Sequence, residues 1–292
     1  RALLMRAVPL LCVVVAVMGC KVEERPASTV PITTKILLRY HPPAGASYTY
    51  VLDQTSRIAP DTFATDTGSQ NTLHLALRQT VGAAVSEDSV AVTATLDSGV
   101  LTSPMLSPAA AQDAARRLRG VHLTAVFDDR QRLIHDDWTG VRRLPGIVGD
   151  QLQLVFRAAA LALPEDSVKT GDSWANTVVL PFGQVAGGAP LIAKTKIQVR
   201  ELSVLAGDTI ARLGVETSVP DRPLRFTFGG QAISVALSGI ITGEQRFSLT
   251  RGTLVEANLG GMMLVRVTGG MFGARGMTMR VDQQGAMRLV PP

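Results

Sequence analysis

Along much of this chain apolar and polar residues take turns, one for one. Leu73, Leu75 and Leu77 alternate with Thr72, His74 and Arg78, and Val90, Val92, Ala94 and Leu96 alternate with Thr93, Thr95 and Asp97. The same pattern returns with Ile233, Val235 and Leu237 against Ser234 and Ser238, then with Met277, Met279 and Val281 against Thr278, Arg280 and Asp282. Successive side chains on a strand point to opposite faces, so the pattern predicts antiparallel strands with one face in a core and the other in water. Short polar or glycine-bearing links, Asp128-Asp129-Arg130, Thr250-Arg251-Gly252 and Gln283-Gln284-Gly285, read as hairpin turns between such runs and favour meander connections.

Two stretches break the pattern and read as helices. Ser107 is a capping residue, Pro108 suits the first helical position, and the following AAAQDAARRLRG ends at Gly120, a stop signal. Residues 147–163 (IVGDQLQLVFRAAALAL) are apolar on nearly every face apart from Asp150, Gln151, Gln153 and Arg157. A helix of that kind has to be covered on several sides. The expected architecture is therefore mainly β with two helices (α+β): a curved antiparallel sheet or half-barrel, with the apolar helix packed in its concave face.

The chain also resembles itself. Gly45-Ala46-Ser47-Tyr48 corresponds to Gly171-Asp172-Ser173-Trp174, and Glu87-Asp88-Ser89-Val90 to Gly207-Asp208-Thr209-Ile210. Val126 and Leu133 likewise correspond to Phe247 and Leu254. Three anchors in one order at nearly constant spacing predict an internal duplication, with pseudo-repeats at about 36–163 and 164–292 inside one β-rich domain, 35–292. Tyr48 and Trp174 hold matching places, each expected to seat the first strand of its half.

The opening RALLMRAVPLLCVVVAVMGC has basic residues, a short apolar run and a small residue at its end, the layout of a secretory signal. Val17-Met18-Gly19-Cys20 resembles the lipobox of bacterial lipoproteins, which implies a signal peptide at 1–19, cleavage after Gly19 and acylation of Cys20. Two or more acyl chains would anchor the protein to a membrane without spanning it. Residues 20–34, polar and with two prolines, read as the lipidated cysteine and a flexible linker, with order beginning near Lys35. Cys12 would be lost with the signal and Cys20 blocked, which leaves no thiol for a disulfide, a metal or catalysis. Lys21 after the lipidated position points to sorting to the outer membrane, facing the periplasm.

Chemistry-bearing motifs are scarce. His135-Asp136-Asp137 is the one place where a histidine and paired carboxylates meet, but neighbouring strand residues face opposite ways and two ligands are too few for a metal, so it reads as a polar hairpin end. No Gly-x-Ser-x-Gly, Ser-x-x-Lys or phosphate-binding glycine loop occurs, so no catalytic residues and no cofactor are expected. Without Arg1 and Arg6 the balance is 27 basic to 24 acidic residues, and aromatics are 4% of the chain, which together argue against nucleic acid. Glycine pairs at 187–188, 229–230, 260–261 and 269–270 read as turns and bulges at strand ends. The C-terminal methionines read as core, as an adaptable apolar cavity wall, or as soft ligands for copper, the last without any accompanying histidine or cysteine. Leu152, Val155 and Phe156 on the second helix, with Met263, Met277 and Met279, are the residues expected to line an apolar cavity.

The lipobox, Gly-x-Ser-Tyr opening a β-rich body, and Leu163-Pro164 followed by Val168-Lys169-Thr170-Gly171-Asp172-Ser173-Trp174 together resemble a family of uncharacterised bacterial lipoproteins. The architecture expected here resembles the half-barrel of lipoprotein carriers. These resemblances imply a non-enzymatic, membrane-anchored envelope lipoprotein that binds a lipid or other apolar ligand between sheet and helices. The alternative is an envelope scaffold with a filled core, whose partner is another envelope protein.

Overall fold

The computed structural model describes residues 29–60, 68–86, 88–104, 106–137, 161–180, 191–228, 231–273 and 275–291. Among the described residues twelve strands form one open, curved antiparallel sheet: β1 (Val30–Pro31), β2 (Ser47–Pro60), β3 (Ser69–Ser86), β4 (Ser89–Thr102), β5 (His122–Asp128), β6 (Leu133–Asp137), β7 (Ser173–Leu180), β8 (Leu191–Leu205), β9 (Asp208–Phe228), β10 (Gln231–Ser248), β11 (Thr253–Gly269) and β12 (Met277–Leu289). Their order is β1-β8-β9-β10-β11-β12-β2-β3-β4-β5-β6, and β7 pairs with β8 beside β1. Each half of the chain is thus a meander. The two meet where β12 pairs with β2, from Met279↔Pro60 to Leu289↔Tyr50.

The alternation has the physical effect expected of it. One row in register across seven strands, Val199, Leu213, Gln245, Ala257, Met287, Leu52 and Leu75, lies on the inner face, and most of it is buried. The opposite face carries cross-strand ion pairs in water, Arg78–Asp97 (3.0 Å), Arg246–Glu256 (3.1 Å) and Arg266–Asp221 (2.8 Å). Exposed pairs of this kind are worth about 0–1 kcal/mol each. Burial of the inner face therefore supplies the larger share of stability.

A single α-helix, α1 (Pro108–Leu118), is present among the described residues, where two helices were expected. Ser107 Oγ accepts from the Ala110 amide at 3.2 Å, Pro108 opens the first turn, and Arg117 pairs with Asp113 four residues earlier at 2.7 Å. Leu118 is the residue α1 buries, in a cluster with Leu73, Leu75, Leu77 and Leu96. Of the second expected helix, 147–160 lies outside the described residues, with Leu152, Val155 and Phe156. Residues 161–163 are described and are not helical. Pro164 disfavours helical geometry before it, and the Leu163 amide donates to the Arg130 carbonyl at 2.8 Å.

Three other expectations change. Gln283-Gln284-Gly285 is no turn: it lies inside β12, whose pairing with β11 and β2 continues unbroken through it. Gly260-Gly261 is likewise inside β11, not at a strand end. A Cβ on Gly261 would overlap the Ile240 carbonyl oxygen, one on Gly239 that of Met262, and one on Gly243 that of Asn258. The three glycines form a crease between β10 and β11, where only a backbone without side chains allows so close an approach. Order also starts before Lys35, since Val30 and Pro31 pair with Val204 and Ser203.

Candidate functional site

Two segments outside the strands close one end of the curved sheet. The first runs from Ile32, whose amide donates to the Leu202 carbonyl, through the Ile36–Val168 bridge to Tyr40, whose amide donates to the Asp129 carbonyl. The second is 161–168, held to the β5–β6 turn by Leu161 on Gln131 Oε1 (3.3 Å) and Leu163 on the Arg130 carbonyl. Leu38, Tyr40, Leu161 and Leu163 are buried there among residues of β3, β4 and β8–β11. Arginines fasten this plug. Arg39 pairs with Asp129 at 2.8 Å and donates to the Pro164 and Glu165 carbonyls, while Arg130 donates to the Leu163 carbonyl.

Above the plug lies a cavity of about 530 Å³. Its walls are Leu77 and Gln79 of β3, Val92 and Ala94 of β4, Leu123, Ala125 and Phe127 of β5, and Leu254 and Met287 of β11 and β12. Tyr40 and Ala162 belong to the plug, and Asn176 to Val179 come from β7. Tyr40 meets Phe127 edge to face, ring centres 5.7 Å apart.

Several polar groups of this lining are bonded within the protein. The Tyr50 hydroxyl donates to the Leu254 carbonyl at 2.8 Å and lies 3.3 Å from Thr253 Oγ1. Gln79 Nε2 donates to the Tyr40 hydroxyl at 3.1 Å, and Arg132 Nε to Asp128 at 2.6 Å. Burial disfavours the tyrosinate form, so Tyr50 is pushed up to about 12 and Tyr40 is raised as well. Both hydroxyls are neutral at any physiological pH. The described residues of the site offer an apolar surface, neutral dipoles and one guanidinium, that of Arg132, already held by Asp128.

The methionines divide. Met287 lines the cavity, Met263 is buried on β11 between Gly239 and Val281, Met279 is half-buried, and Met277 is exposed at the start of β12. Cys20 and Gly19 lie outside the described residues. His135, Asp136 and Asp137 form the edge strand β6, away from this lining. Among the described residues no group of three or more His, Cys, Asp or Glu could hold a metal ion, and no helix is long and apolar enough to cross a membrane.

Most of the wall residues were not singled out beforehand. Leu123, Ala125 and Phe127 do alternate in sequence, but that signal marks an inward face without saying whether the interior is filled. Tyr50 stands two residues after Tyr48 and so shares its face, a usable hint. Trp174 does seat its strand, since its Nε1 donates to the Ala162 carbonyl at 2.7 Å.

No protein-family model matches this chain, and no curated protein matches it closely enough to indicate a relative.

Proposed function

We propose that the protein is a non-enzymatic lipoprotein of the bacterial cell envelope, held in the outer membrane through Cys20 and facing the periplasm, which shelters an acyl chain between the edges of its curved sheet. The observation that carries this reading is the 530 Å³ cavity with its largely aliphatic walls. Small-molecule sites are typically about 300–1,000 Å³ and mostly apolar. At roughly 30 Å³ per water the cavity would hold ~17 waters, with few free polar groups to bond them. An acyl chain gains about 0.8 kcal/mol per methylene it removes from water, so a dozen or more methylenes outweigh the cost of ordering the chain.

The signal-like opening and the lipobox support the anchor. The paired turns and bulges of the two halves support a tandem duplication as the origin of 36–163 and 164–292. A filled-core scaffold is the competing reading, and an accessible apolar cavity weighs against it.

The test is organic extraction of purified protein followed by mass spectrometry, then titration of the delipidated protein with a fluorescent long-chain fatty acid. One chain per protein is expected, with binding abolished in Ala125→Phe, which fills the cavity from β5. A clean extract together with no titratable binding would end the lipid reading. In cells, Cys20→Ala should leave the membrane fraction, and unchanged partition would end the anchor reading.

A further inference from the structure

The pattern of residues around the cavity tells which walls are faces and which are edges. On β3, β4 and β5 every second residue contributes: Leu77 and Gln79, Val92 and Ala94, then Leu123, Ala125 and Phe127. That is what a strand presents from its face. On β7 four successive residues contribute, Asn176, Thr177, Val178 and Val179, while opposite them the β5–β6 turn supplies Gln131 and Arg132 and β6 its first residue, Leu133. Consecutive residues of a strand point to opposite faces, so the cavity meets β7 from the side, and it reaches β6 at the first residue of that strand. Among the described residues β6 pairs with β5 and β7 with β8, and neither pairs with the other. Leu133 and Val179 are 36% and 40% exposed, large apolar side chains left at the lips of a seam.

We propose that the acyl chain enters sideways through this seam between β6 and β7, and that the site takes one unbranched chain while the headgroup stays outside. The far end is blocked, because Tyr40 and Leu163 of the plug are 2% and 0% exposed. The deep wall offers a headgroup little, because the Tyr40, Tyr50, Gln79 and Thr253 groups there are already bonded to one another or to backbone, and the remaining amide and hydroxyl, Asn176 and Thr177, sit on β7 at the seam. Among the described residues the arginines at the rim are paired, Arg132 with Asp128, Arg39 with Asp129 and Arg130 with Glu165. Recognition therefore rests on the tail, and ~17 water-sized volumes match a single chain of about that many methylenes better than two chains.

This inference rests on the lipid reading above, and rates separate the two. In stopped-flow mixing with a straight-chain fluorescent fatty acid, Leu133→Trp and Val179→Trp should slow both loading and release about tenfold while the Kd stays within about twofold, because narrowed lips change the path and not the bound state. Leu133→Ala and Val179→Ala should speed both rates. A methyl-branched analogue of equal length should compete poorly. Lip substitutions that leave both rates unchanged while Ala125→Phe abolishes binding would overturn the seam and spare the lipid site. Equal binding of the branched analogue would overturn the single unbranched chain, and absence of binding by the parent would overturn site and seam together.

Discussion

Strands β2–β6 and strands β7–β12 enter the sheet through the same turn and then build differently upon it. Gly45 (φ +79°) donates to the Val81 carbonyl while Val81 donates to Ala46, and Gly171 (φ +96°) donates to the Val199 carbonyl while Val199 donates to Asp172, all four bonds at 2.9 Å. The irregularity in register between Val126 and Phe127 has its counterpart between Arg246 and Phe247, and the tight turns that follow place Gln131 and Gly252 at φ +59° and +61°. Between β4 and β5, however, the first half inserts α1, whereas two residues separate β9 from β10. The first half covers its inner face with a helix, and Gly99 makes the notch for Leu118. The second half has longer strands and bends them at the glycine crease. One scaffold can thus be covered or bent, and glycine serves both purposes by yielding to a side chain in one half and to backbone in the other.

Exchanging those glycines should break the comparison most visibly. In Gly243→Ala the new Cβ meets the Asn258 carbonyl and Leu259 Cα, whereas in Gly99→Ala it meets leucine methyl groups of Leu118 and Leu75 at 2.8 and 2.9 Å. Backbone on a paired strand cannot step aside, so Gly243→Ala should cost about 4 kcal/mol in urea unfolding and Gly99→Ala about 1–2 kcal/mol. Equal costs would mean that the crease is not a constraint.

Alkaline pH sharpens the comparison next, because all three tyrosines, Tyr40, Tyr48 and Tyr50, belong to the first half. An unfolded tyrosine loses its proton near pH 10, whereas folded Tyr50 holds it to about 12. Above pH 10 the folded state therefore binds more protons than the unfolded one, and stability falls as pH rises, by about 2–3 kcal/mol at pH 12 for this residue. Amide exchange at rising pH, corrected for its intrinsic rate, should show β2–β5 loosening before β8–β10, and Tyr50→Phe should flatten the slope. Simultaneous loosening in the parent would show that the halves have no separate stability.

The smallest effect tests the likeness itself. Gly45→Ala and Gly171→Ala each force a side chain into the left-handed region and should each cost about 1–2 kcal/mol. A large difference between them would mean that the matching turns do unequal jobs.

Legibility in the sequence followed how local each signal is. Strands with strict alternation, such as Leu73 to Leu77, and the capped helix after Ser107 were readable because a few neighbouring residues decide them. Glycine misled where the cause was remote: Gly285 and Gly261 have the composition of turns, but their partners are strands whose approach depends on the whole curvature. The cavity expected against 147–163 rests on residues largely outside the described ones; in the cavity walled by β3–β5 Met287 contributes, and Met263 and Met277 do not. All three alternate correctly; which part of an inner face is filled and which left open is settled by the plug, through contacts such as Leu163 on Arg130 that no periodicity encodes.

The last strand among the described residues, β12, sits in the middle of the sheet and not at its rim. Both meanders can zip up from near neighbours as the polypeptide emerges, but β2 and β11 stay raw until Met277 onward arrives between them. A nascent chain halted upstream of that point carries two mutually compatible ribbons with nothing to join them, and a neighbouring copy could supply the missing ribbon instead. The join between the two meanders is therefore concentrated in the dozen or so paired residues of β12, and a chain lacking them bares two sticky strand edges.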